Sequence, residues 1–121
     1  GHAILFDAHS IHGRIPRLFD GELPTLNLGF APPGLEAFRA WARESSYDHV
    51  ENGRFKGGYI TRHYSAPAER IYSMQLEINQ RAYLSTTTPR QFPPARDPEG
   101  WRRLQTQLRR LLAALIDWRA V

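Results

Sequence analysis

The chain has 121 residues, 41% of them hydrophobic, with a formal net charge of +4 and no cysteine. That length suffices for one domain with its own core. Disulfides, zinc knuckles and thiol nucleophiles are excluded, so any metal must be held by His, Asp, Glu and water. No apolar run reaches the length of about 18 residues that marks a membrane span, and no secretory signal is visible. The expectation is a cytoplasmic protein with no membrane partner. The chain opens on Gly1 with no initiator Met and enters strand-like sequence at once, which reads as a processed, trimmed or partial chain. All but one of its basic residues are arginine, Lys56 being the exception. Arginine suits bidentate recognition of carboxylate and phosphate. These arginines are spread along the chain and no nucleic-acid motif accompanies them, so small anionic substrates are expected as partners rather than nucleic acid.

In chain order, the apolar run Ala3 to Ala8 reads as a buried strand that ends in Asp7, His9 and Ser10. A loop follows from Ser10 to Pro24, broken by Pro16, Gly21 and Pro24. Thr25 to Phe30 reads as a short strand. Leu35, Phe38, Trp41 and Ala42 recur at helical spacing up to about Ser45. Tyr47 to Val50 is a short strand candidate, and Asn52 to Gly58 (NGRFKGG) a glycine-rich basic loop. Arg70 to Ile78 alternates, with Met74, Leu76 and Ile78 on one face and Ser73, Gln75 and Glu77 on the other. Ser85 to Arg96 is polar and proline-rich and reads as a loop. Asp97 then fits a helix N-cap with Pro98 at the first helical position. Trp101, Leu104, Leu108, Leu111, Leu112 and Leu115 form the apolar stripe of a helix of about five turns, with Arg102, Arg103, Arg109 and Arg110 mostly off it. The order predicts an α/β fold with a mixed, mainly parallel sheet flanked by helices.

Three groups could carry chemistry. Asp7-x-His9 stands at a predicted strand end, where open α/β folds place their ligands; the same residues also fit a polar loop with His9 hydrogen-bonded to a neighbour. His9 and His12 form an H-x-x-H that would share a face only on a helix, and His2, His49 and His63 are scattered. Glu77 lies near the end of a strand, where burial raises a carboxyl pKa and suits a general base; an ion pair with an arginine fits as well. In NGRFKGGYITRHY, glycines admit close backbone approach while Arg54, Lys56 and Arg62 supply positive charge. The stretch suits an anion, lacks the P-loop pattern, and also fits a turn with exposed basic residues.

Together, LFDAHSI…IPRLFDGELPTLNLG, NGRFKGGYITRHY and MQLEINQRAY resemble the N-formylglutamate amidohydrolase family in order and spacing, from about residue 2 to residue 84, with a weaker match in the last helix. That family is similar in fold to zinc carboxypeptidases and aspartoacylases. The resemblance implies that the chain is the C-terminal part of a single amidohydrolase domain. It implies a zinc ion, or another divalent metal, with His9 as the third ligand. Glu77 takes the place of the general base, and Asp7 and Ser10 those of groups that orient His9. The implied reaction is hydrolysis of N-formyl-L-glutamate to formate and L-glutamate, a step of histidine breakdown. Its substrate carries two carboxylates, for which Arg62 and Arg54 are the first candidates and Lys56 and Arg17 the next.

Family members are much longer, and their other metal ligands, in a Pro-His-Ser-Gly-like segment with an acidic partner, have no counterpart in this chain. Neither has the family's Asn-Arg substrate pair. His12 stands where the family usually has Arg. After LNLG the chain runs Phe30-Ala31-Pro32-Pro33-Gly34 in place of a longer Ser-Cys-containing loop, which leaves room for a related amidohydrolase acting on another N-acyl amino acid. A truncated, non-catalytic α/β domain that binds carboxylates or a partner chain is the remaining alternative. A sheet edge left uncovered would favour self-association.

Overall fold

The computed structural model describes residues 1–86 and 91–120. Four strands form one sheet in the order β1-β4-β2-β3. They are β1 (Ala3–Ile11), β2 (Leu26–Phe30), β3 (His49–Glu51) and β4 (Ile71–Asn79). β1 and β4 are parallel, as are β2 and β3, while β2 and β4 are antiparallel. The sheet is therefore mixed with mainly parallel pairing, as the order of elements predicts. Three α-helices accompany it among the described residues: α1 (Glu36–Glu44), α2 (Tyr59–His63) and α3 (Pro98–Asp117).

The two faces of β4 differ as its alternation predicts. Met74, Leu76 and Ile78 meet Leu26 and Leu28 of β2 in a core that also takes Phe38 and Trp41 of α1 and Leu104, Leu111 and Leu115 of α3. Phe38 stacks on Trp41 at 6.1 Å between ring centroids, and the Trp41 indole N–H donates to the Gln107 carbonyl at 2.8 Å, tying α1 to α3. α3 starts where expected: the Asp97 carboxylate accepts from the Glu99 amide, and Pro98 follows as the first helical residue. Leu112 departs from the expected stripe and is 47% exposed. Adjacent residues on a helix point about 100° apart, so Leu111 and Leu112 cannot both face the sheet.

Several boundaries are corrected. β1 does not stop at Ala8 but continues through His9 and Ser10 to Ile11. It is not a buried central strand either. It is an edge strand with no partner beyond it among the described residues, and Leu5 is 37% exposed. β3 is displaced from Tyr47–Val50 to His49–Glu51, and Tyr47 instead packs into the core beneath the Arg103 guanidinium. The one-turn helix α2 interrupts what the sequence left unassigned. Residues 87–90 of the predicted Ser85–Arg96 loop lie outside the described residues.

One polar cluster ties β2 to the loop ahead of β3. The Thr25 hydroxyl donates to Asp48, and Arg81 donates to both Asp48 oxygens at 2.9 and 3.1 Å. Partial burial alone would raise the Asp48 pKa, but the Thr25 hydrogen bonds and Arg81 outweigh it and hold the carboxyl below its ordinary value. A depressed folded-state pKa gives stability that is present above the unfolded value, near 4, and lost as pH falls through the folded one. The Asp48 side chain is 58% exposed, so the contribution is small, about 0.5–1 kcal/mol. Asp48→Asn is expected to lower the melting temperature at neutral pH, and thermal melts should show the difference shrinking as pH falls below the ordinary aspartate value of about 3.9.

Candidate active site

The parallel register of β1 and β4 builds the site. His9 pairs with Glu77 and Asp7 with Gln75, so all four side chains rise from one face of the sheet, opposite the apolar core. The antiparallel register adds Asn27 beside Glu77 and Gly29 beside Gln75. Asp7 and His9 are two residues apart on a strand, and the Asp7 carboxylate (Oδ1) meets His9 Nε2 at 2.7 Å. With Nε2–H donated to Asp7, the His9 lone pair sits on Nδ1, where a metal would find it. The His9 side chain is 49% exposed while Glu77 is only 6% exposed. Burial pushes the Glu77 pKa above its ordinary value. Its neighbour His9 and the Gln75 hydrogen bond oppose that rise, and Asp7 adds to it.

Ser10 does not join this group. Strand alternation sends its side chain to the opposite face, where its hydroxyl pairs with the Tyr83 hydroxyl at 2.8 Å. The expectation that Ser10 orients His9 is therefore not met; among the described residues Asp7 alone bonds the ring. His12 lies past the end of β1, its ring nitrogen turned to the Arg14 backbone. His63 stacks on Tyr59 and His2 sits against Trp118. Among the described residues, no group of three or more His, Asp or Glu side chains stands together as a metal cluster. A catalytic zinc takes three protein ligands. The residues present fit one corner of such a site, at His9 Nδ1, and not a whole one.

The glycine-rich loop covers the polar face. A Cβ on Gly29 would lie 2.3 Å from the Gly57 nitrogen, and Gly57 itself has φ +79°. The loop backbone thus rests directly on β2, at a height only glycine permits. Gly29→Ala is expected to lift the loop and cost about 1–3 kcal/mol, read by urea denaturation together with faster amide exchange at Gly57 and Gly58.

Arg54, Lys56 and Arg62 all lie on this loop and on α2, exposed, and Arg17 is exposed on the loop between β1 and β2. None of the four takes part in an ion pair among the described residues, whereas Arg14, Arg39, Arg43, Arg81 and Arg110 all do. Lys56 lies in the loop whose backbone rests on Gly29, with Arg54 earlier in the same loop, and Arg62 lies on α2, which packs beside β4. The shortened segment Ala31–Gly34 packs at the start of β4, against Tyr72 and Ser73. A cavity of about 390 Å³ opens beyond the ends of β1 and β4, lined by His12, Arg14, Glu22, Asn79 and Arg81 among others. Both arginines there pair with Glu22, at 3.3 and 3.1 Å.

Two features escaped the sequence reading. Asn27 and Asn79 are 1% exposed and hold turns in place, Asn27 through the Pro24 carbonyl and Asn79 through that of Leu23. Gln75 bridges the loop to Glu77. The available signal was Gly29, since a lone glycine within a strand marks close approach of another backbone.

The comparisons agree with this architecture. Residues 1–84 match the N-formylglutamate amidohydrolase family. The chain is 45% identical over 127 residues to an N-formylglutamate deformylase of Pseudomonas putida, covering 99% of this chain and 46% of the relative. It is 41% identical over 125 residues to the N-formylglutamate deformylase of Pseudomonas aeruginosa, with 98% and 46% covered. It thus spans about half the length of these relatives. The fold matches the crystal structure of an N-formylglutamate amidohydrolase from Ralstonia eutropha JMP134 with a TM-score of 0.69 at 22% identity, over 93% of this chain and 44% of that one. The family match spans more than two thirds of the chain: it belongs to the N-formylglutamate amidohydrolase family.

Proposed function

We propose that this chain is the C-terminal part of an amidohydrolase domain that hydrolyses N-formyl-L-glutamate to formate and L-glutamate, in the cytoplasm, as a step of histidine breakdown. The observation that carries the reading is the register pairing of His9 with Glu77 on one face, with Asp7 bonded to His9. His9 contributes one ligand to a zinc or similar divalent ion, the others lying outside these 121 residues. Such an ion, when bound, lowers the pKa of water and polarises a carbonyl oxygen.

Glu77 acts as the general base. Burial raises its pKa above the ordinary carboxylate value, which makes it a stronger base than an exposed glutamate. It takes a proton from the attacking water. The water oxygen bonds to the formyl carbon, the C–N bond breaks, and Glu77 returns the proton to the departing amine of glutamate. Asp7 fixes the His9 ring and its tautomer. Arg54 and Arg62, with Lys56 and then Arg17 behind them, hold the substrate carboxylates.

The test is release of the acyl acid with zinc added, with a chelator control, from N-formyl-L-glutamate, N-acetyl-L-glutamate and N-formyl-L-aspartate. Chelator-sensitive formate release confined to N-formyl-L-glutamate supports the reading. Preference for another substrate identifies a related amidohydrolase. No release by any form spanning the full length of the relatives identifies a non-catalytic domain.

A further inference from the structure

We propose that Gln75 is the residue that positions Glu77, and that it does so as a rigid link between the carboxylate and the glycine-rich loop. This rests on the reading of Glu77 as the base. Gln75 stands on β4 between Asp7 of β1 and Gly29 of β2, and it is 9% exposed. Its Oε1 accepts the Gly58 amide N–H at 3.0 Å, and its Nε2 faces Glu77 Oε2 at 3.5 Å.

The direction of the link is forced. A backbone amide N–H can only donate, so the Gln75 oxygen must face Gly58. The side-chain NH₂ must then face Glu77 and can offer it only protons. Such a donor binds the ionised carboxylate more strongly than the neutral acid. It engages Oε2, which leaves Glu77 Oε1 as the oxygen that meets a water. The loop end of the link cannot drift, because Gly57 rests on Gly29 with no room for a side chain between them. Gly58 opens α2 with no side chain of its own to cap the helix, so Gln75 supplies the acceptor.

The first arm uses the 121-residue chain, labelled with ¹⁵N. Gln75→Leu is expected to speed Gly58 amide exchange about tenfold or more, while Gln75→Glu keeps the protection because a carboxylate still accepts that N–H. Glu77→Ala is expected to shift the Gln75 side-chain NH₂ signals with Gly58 still protected. Unchanged Gln75 signals in Glu77→Ala overturn the proposal. The second arm uses a form that releases formate. There Gln75→Glu, which keeps the loop contact and loses the donor, is expected to lower kcat about tenfold or more with KM within about threefold of wild type. Wild-type kcat in Gln75→Glu reduces Gln75 to a loop anchor and also overturns it. If Glu77→Gln retains turnover, the role of Glu77 fails on its own, and the spectroscopic arm still decides whether Gln75 holds that carboxylate.

Discussion

If Glu77 is the general base proposed above, Glu77→Gln is expected to lower kcat for formate release by about 10²- to 10⁴-fold, with KM changed far less, in a form of the protein that turns over. The substitution keeps the volume and planarity of a side chain that is 6% exposed. It also keeps an oxygen to accept the Gln75 NH₂. What it removes is the proton acceptor, so a loss confined to kcat isolates that role. The pH profile gives a second reading of the same group. Burial raises the Glu77 pKa above the ordinary carboxylate value, against the opposing pull of His9 and Gln75. A general base works only when deprotonated, so activity falls as pH drops through this raised value. The acid limb of kcat/KM is expected above the ordinary glutamate value of about 4.3 and absent in Glu77→Gln.

The largest effect on stability is expected at Phe38. Its ring is fully buried, stacked on Trp41 and in edge contact with Phe6 of β1 at 6.5 Å. Phe38→Ala is expected to cost about 3–5 kcal/mol, the sum of lost burial and a cavity that neighbouring strands cannot close. Against a total of about 5–15 kcal/mol for a domain of this kind, that is a large fraction. Urea denaturation should show a lower midpoint with an unchanged slope. Leu112→Ala, on the same reasoning, is expected to fall within about 0.5 kcal/mol of wild type, because its side chain is 47% exposed.

Much of this arrangement is legible in the residues themselves. Period-two alternation from Ser73 to Ile78 sorts β4 into an apolar and a polar face before any partner is known. Asp97-Pro98 announces the start of α3 because both the cap and the ring act within one turn. What is not legible depends on pairing. The run Ala3 to Phe6 reads as a buried strand, yet β1 lies at the edge, since position in a sheet is not encoded locally. The strand carries on through Asp7 and His9 because each residue is paired along β4 up to Asn79. The meeting of His9 with Glu77 is a matter of register across 68 residues of sequence, and no spacing rule reaches that far. α2 has five residues and no apolar stripe, so helical periodicity has nothing to register. The Gln75 link is likewise a tertiary contact, foreshadowed only by the glycine at position 29.

The central claim is that the face shared by His9 and Glu77 is the reaction centre. The most direct measurement is anomalous X-ray diffraction at the zinc edge from crystals of a zinc-loaded form that releases formate. A zinc peak bonded to His9 Nδ1 is expected, on the sheet face that carries Glu77, with Asp7 still holding Nε2. A peak at His12, His49 or His63 with none at His9 would contradict it.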